Sequence, residues 1–174
     1  MQLVSNFLNK ITMYRLMLYF LSTLVLLSAS LGLLGVMPYN PLAIISQTIL
    51  FLFFCFYINL GIARLLKIKP NTESSVITGL ILSLLMGPSL TLGGLYIIFG
   101  SSLFAIASKY IFVWRKSHIF NPAVFGALAS SLVFNQTASW WVGSMALLPL
   151  IIIGGLLILK KIQKFSLVVS FLAV

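Results

Sequence analysis

The sequence contains no aspartate and a single glutamate (Glu73), histidine (His118) and cysteine (Cys55). Paired carboxylates for acid–base work, a nucleophile–histidine–carboxylate triad and a protein-only metal cluster all need residues that this chain does not have. A disulfide within the chain is excluded for the same reason, and Cys55, set in an apolar run, reads as a small buried hydrophobe. Redox chemistry would require an imported cofactor. Charge is almost as scarce. Only 7% of the 174 residues are charged, and eleven Lys/Arg against one acid leave a net charge of +10. Such a balance would suggest nucleic acid in a polar chain, but here the basic residues fall outside the apolar runs, so the charge reads as membrane topology. Nucleic acid is discarded as a partner.

What the chain does have is apolar surface. A hydrophobic content of 61% and a mean hydropathy of +1.16 exceed what a water-soluble core of this size needs, and the lipid bilayer is the expected partner. The apolar runs are Leu16–Met37, Pro41–Ala63, Ser75–Met86, Leu92–Ser108, Pro122–Phe134 and Trp140–Leu159, and a seventh starts at Phe165 and is cut at Val174. They predict an all-α integral membrane protein of about six to seven hydrophobic helices in a single membrane domain, residues 1–174. The first run is longer than the apolar region of a signal peptide, about 7–15 residues, and reads as an uncleaved span. Two runs are too short for an ordinary span. Ser75–Met86, stopped by Gly87 and Pro88, covers roughly 18 Å and Pro122–Phe134 roughly 20 Å, against a hydrocarbon core of roughly 30 Å. Both are expected to be broken or re-entrant helices.

Basic residues occur in residues 1–15, around Lys67, around Lys116 and around Lys161, whereas the alternate links near Tyr39, Pro88 and Gln136 have none. With residues 1–15 in the cytoplasm of a multi-pass inner (cytoplasmic) membrane protein, every Lys and Arg falls on one side, as the positive-inside rule requires. Trp140 and Trp141 at the opposite boundary read as interface anchors. Gly154-Gly155, and Gly126 with Ser130, allow close helix approach. Glu73, before a short helix and near Lys69, reads as a dipole or ion-pair group at the interface, with a proton- or cation-binding role as the alternative. His118 reads as a loop histidine rather than a ligand, since no second histidine or carboxylate adjoins it.

The stretch Ser117–Leu128, SHIFNPAVFGAL, organises the rest. Asn121 suits a helix N-cap because its side-chain oxygen accepts from the first free N–H groups, and Pro122 fits the first helical position. A helix starting near the bilayer presents free N–H groups and a positive dipole end, which is tolerated where it faces protein, a cavity or an anionic ligand. A plain start at the interface accounts for the same residues.

Two stretches taken together, Thr78-Gly79-Leu80-Ile81-Leu82-Ser83-Leu84-Leu85-Met86-Gly87-Pro88 and Lys109-Tyr110-Ile111-Phe112 followed by His118-Ile119-Phe120-Asn121-Pro122-Ala123-Val124-Phe125-Gly126, resemble the RnfD/NqrB membrane subunits of the Rnf electron-transport complex and the sodium-pumping NADH:quinone oxidoreductase. The resemblance covers roughly residues 73–174. Tyr110 stands where that family has histidine, and Val113–Ser117 replaces its glycine-rich linker. What the resemblance implies is the first half of an inverted-repeat bundle, either truncated or a reduced homologue, with the end inside an apolar run favouring truncation or a split gene, in a membrane subunit of a flavin-dependent electron-transport complex, with other subunits as partners and Na⁺ or H⁺ movement as the coupled process. It implies a flavin, FMN or riboflavin, and makes Thr78, Gly79, Asn121 and Pro122 the candidate cofactor-binding residues. The link Asn135–Ser139 lacks the S-G-A-T-like motif through which those proteins hold FMN covalently, so any flavin in this chain is expected to be non-covalent. The residues alone equally fit a transporter or channel with a midplane solute site, or a non-catalytic assembly subunit.

Overall fold

The computed structural model describes residues 11–89, 91–114, 117–135, 138–163, 165, 168 and 170. Their order is α1 (Met13–Leu33), α2 (Pro41–Leu65), α3 (Thr72–Leu85), α4 (Leu92–Ile111), β1 (Val113–Trp114), β2 (Ser117–His118), α5 (Pro122–Phe134) and α6 (Leu148–Ile162). The two strands form one antiparallel pair of two residues each, and everything else of regular structure is helical. Helices α1, α2 and α4 are long and apolar enough to cross a membrane, while α3 and α5 are shorter apolar helices. The chain is an all-α, multi-pass membrane protein. The apolar run at Phe165 lies largely outside the described residues.

Polar side chains set five of the six helix starts. Thr12, Asn40, Asn71, Thr91 and Asn121 each accept from a backbone N–H in the first turn of the helix that follows, satisfying donors that the helix itself cannot. The pair Asn121-Pro122 is therefore a device the chain uses twice, for Asn40-Pro41 opens the ordinary span α2 in the same way. Asn71 shifts the start of α3 back to Thr72, which moves Glu73 from before the helix into its exposed first turn.

The sixth run differs most from expectation. Residues 141–147 form turns, and the helix begins only at Leu148. Pro149 explains this: it has no N–H to donate and clashes with the carbonyl four residues back, so it is accepted in the first turn of α6 and would break a helix started at Trp140.

Helices α2, α3 and α4 form the middle of the bundle, α1 covers α2 and α3, α5 lies against α4 and α3, and α6 rests on α1. One cluster of buried residues, among them Leu24, Ile44, Leu84 and Val142, joins α1, α2 and α3 to the turns before α6. A second, with Phe51, Leu82, Ile106 and Ala127, joins α2 to α5. Two glycines permit the close crossings. A Cβ on Gly79 would stand 3.0 Å from the Phe51 carbonyl oxygen of α2, and one on Gly126 would stand 2.6 Å from the Ser101 carbonyl oxygen of α4. Gly126 and Ser130 are both buried, as expected for a pair four residues apart on a helix-facing stripe.

A candidate ligand cavity at the basic end

The two ends of the bundle differ in chemistry. At one end Asn59 donates to the Asn71 carbonyl and accepts at 2.7 Å from the Tyr110 hydroxyl, so the ends of α2 and α4 meet the start of α3. Lys67, Lys69 and Lys109 lie in or beside these segments. At the other end the uncharged links converge: Tyr39 packs edge-on against Trp141 with ring centroids 5.2 Å apart, and the Ser139 N–H donates to the Leu85 carbonyl at 2.9 Å. The described basic loops and the described uncharged links thus separate as the charge pattern predicts.

The uncharged end explains why α3 is short. Gln47 is only 3% exposed and lies six residues into α2, about 9 Å from its start at 1.5 Å per residue. Its amide donates at 2.8 Å to the Met86 carbonyl and at 3.4 Å to the Ser83 carbonyl, and its oxygen accepts from the Ser89 N–H at 3.0 Å. The Trp141 indole N–H adds a 3.0 Å bond to the Ser83 carbonyl. Helix α3 therefore stops well inside the depth of α2, and its last carbonyls accept from the Gln47 and Trp141 side chains and the Ser139 N–H. Irregular backbone at membrane depth is tolerated where it is buried in protein or lines a cavity. Trp141 is consequently not the interface anchor expected of it. It is buried, whereas its neighbour Trp140 is exposed.

At the basic end a cavity of about 390 Å³ opens between the starts of α3 and α5 and the end of α4. Thr78, Asn121 and Pro122, three of the four candidate site residues, line it together with Lys109, His118, Tyr14 and Ser74. Asn121 has its side-chain oxygen 3.1 Å from the Ala123 N–H. Thr78 donates to the Ser74 carbonyl at 2.8 Å, leaving its oxygen lone pairs for a further donor. Gly79 is not among the lining residues. It faces the backbone of α2, and its role is helix packing.

Lys109 is the residue that sequence reasoning missed. The apolar run ends at Ser108, but α4 continues to Ile111 and Lys109 is only 8% exposed. Its ammonium donates to the Ser74 carbonyl at 2.8 Å and to the Ser74 hydroxyl at 3.0 Å. The chain's one acid, Glu73, is exposed on α3, and Lys109 has no ion pair among the described residues. His118 reaches the cavity rim because the two-residue strand pair sets it opposite Val113, and Phe112, Phe120 and Phe125 pack against one another beneath this loop, with centroids 5.1–6.2 Å apart. No group of three or more metal-ligating side chains occurs among the described residues. The cavity offers an ammonium, an imidazole, a phenol and a helix start, a set of donors suited to an acceptor-rich or anionic ligand.

No protein-family model, no curated protein and no solved structure matches the chain.

Proposed function

We propose that this chain is a membrane subunit of a multisubunit flavin-dependent electron-transport complex of the RnfD/NqrB kind, and that the basic-end cavity is its cofactor site. The observation that carries the reading is spatial. The two stretches bearing the resemblance, 78–88 and 109–126, are far apart in sequence, yet Thr78, Lys109, His118, Asn121 and Pro122 surround one cavity. Its volume of about 390 Å³ lies within the roughly 300–1,000 Å³ of small-molecule sites. Ile77, Ile81 and Phe120 give it apolar walls and Lys109, His118 and Tyr14 give it donors, which fits a flat heteroaromatic ring with acceptor edges. A bound flavin would supply the electron-transfer chemistry that no side chain here provides. The chain's own residues would orient the ring through Asn121 and Thr78, give it an apolar wall with Ile77 and Ile81 and balance negative charge with Lys109. Gly79 enters only by letting α3 lie close to α2.

The test is flavin content. The chain purified with its membrane partners should release flavin on denaturation and show no fluorescent band at its own mass in a denaturing gel. A preparation free of flavin, or a fluorescent band at that mass, would count against the reading as stated. The same proposal places the N-terminus in the cytoplasm of the inner membrane. Cysteines introduced at positions 67, 116 and 161 in a background lacking Cys55 should escape an impermeant reagent added outside intact cells, and efficient labelling at position 116 would reverse the orientation.

A transporter reading draws on a second cavity of about 330 Å³ at the uncharged end, lined by Gln47, Met86, Ser89 and Thr91 beside the recessed end of α3. Broken helices with polar pockets at their ends are what transporters use for solutes. Solute flux in liposomes carrying the purified chain, with no flavin present, would favour it.

A further inference from the structure

We propose that the basic-end cavity binds a phosphate ester, with the Lys109 ammonium as its counter-ion. The starting point is a buried charge with no ion pair among the described residues. An ammonium with so little exposure is costly unless it is paired, and among the described residues the hydrogen-bond partner of Lys109 is the neutral Ser74, reached through two of its three N–H groups. Its third N–H and its charge are left for whatever occupies the cavity that it lines.

Three further features of the cavity fit a phosphate. The start of α5 brings the positive end of a helix dipole, with Asn121 and Pro122 at the wall, and phosphate is the group such ends favour. His118 and Tyr14 line the same cavity and can each donate to a phosphate oxygen. Ile77 and Ile81 continue the wall on the apolar side, so an esterified phosphate with an apolar or ring-bearing substituent is accommodated where a fully hydrated inorganic ion gains nothing. Basic pockets between membrane helices bind anionic headgroups on this physical ground. The phosphate has two sources with the same chemistry: the headgroup of an anionic phospholipid, or the phosphate of a flavin mononucleotide. The inference rests on the preceding reading only in treating this cavity as a ligand site, and needs no flavin.

The experiment uses the full chain, delipidated in detergent, with binding followed by native mass spectrometry and by thermal shift. One arm compares phosphatidylglycerol with diacylglycerol, which has the same chains and no phosphate. The other compares FMN with riboflavin. Preference for the phosphate-bearing member by roughly tenfold or more in either arm is expected, as for a desolvated charge pair, and the arm that shows it identifies the source. Lys109→Met should abolish that preference, Lys109→Arg should retain it, and Lys160→Met, at a residue of α6 that does not line the cavity, should leave it unchanged. Equal binding within both wild-type pairs overturns the proposal even if Lys109→Met fails to fold, and a preference that survives Lys109→Met in folded protein overturns it as well. Riboflavin bound as tightly as FMN, with no lipid preference, would sink the phosphate site while leaving the flavin reading intact. Phosphatidylglycerol preference without any flavin binding would do the reverse.

Discussion

Helices α3 and α5 are nearly equal in length, 14 and 13 residues, and each starts from an asparagine cap at the basic end, yet they end in opposite ways. Helix α3 stops inside the protein, and its final carbonyls meet the Gln47 amide, the Trp141 indole and the Ser139 N–H. Helix α5 ends at Asn135, an exposed residue in the left-handed conformation with φ 51° and ψ 42°, whose N–H bonds back to the Ser131 carbonyl. The difference follows from where each end lies. Water or a left-handed residue can finish a helix at the surface, but a buried end needs donors brought from elsewhere in the fold. A short helix in a membrane bundle is therefore defined less by its own length than by what meets its last carbonyls.

The largest effect should come from removing those donors. Gln47→Leu leaves the Met86 carbonyl and the Ser89 N–H without the partners they have now, at roughly 1–3 kcal/mol for each buried group. Thermal unfolding of the detergent-solubilised chain should show a large loss of stability, or no folded protein at all. A variant as stable as wild type would mean that water reaches the end of α3, and the contrast with α5 would disappear.

The next effect probes α5 from its side. Since its end is finished locally, its attachment depends on close packing against α4 at Gly126, where an added Cβ would meet the Ser101 carbonyl and Ala105. Gly126→Val should cost about 1–3 kcal/mol by overpacking. Gly155→Val on α6, where an added Cβ meets nothing within 4 Å, is the matched control and should be close to neutral. Equal melting temperatures for the two variants would show that α5 is not held by this crossing.

The parts of this fold legible in the sequence are those set by short-range chemistry. The Pro122 start and the Phe134 end of α5 are where the apolar run puts them, Gly87-Pro88 does stop α3 nearby at Leu85, and the loops carrying Lys67 and Lys69 gather opposite the uncharged links. What was hidden depends on partners distant in sequence. Nothing local distinguishes Gln47 from any polar residue in a span, and its role appears only when Met86 and Ser89 come beside it. Lys109 looks like one more topology lysine until Ser74 is seen to receive it. Trp141 was misread because a tryptophan at a run boundary has two uses, and its burial beside Ser83 selects the rarer one. Pro149 carried a local signal that could have been read: a proline ten residues into an apolar run marks a first turn more often than a helix interior. Of the candidate site, Thr78 and the Asn121-Pro122 pair were legible through their motifs, whereas the cavity they share with Lys109 was not.

The smallest effect is the one that best separates a helix start at the site from a helix end at the surface. Asn121→Ala removes the acceptor for the Ala123 N–H and should cost about 0.5–2 kcal/mol, as N-cap losses do. The comparison residue is Asn135, at the other end of the same helix. A leucine there would be a poor control, because position 135 has a positive φ and a bulky side chain in that conformation carries its own penalty of roughly 1–2 kcal/mol. Asn135→Gly avoids this, since glycine accepts the left-handed region freely, and the variant should match wild type to within a few tenths of a kcal/mol. Both variants should be measured for stability and, in the assembled complex, for membrane electron transfer normalised to abundance by immunoblot. Asn121→Ala should lower activity beyond its loss of abundance, because Asn121 lines the cavity, while Asn135→Gly should leave both unchanged. If the activity of Asn121→Ala falls only in step with abundance, the start of α5 is a structural cap like that of α2, and the proposed ligand site loses Asn121.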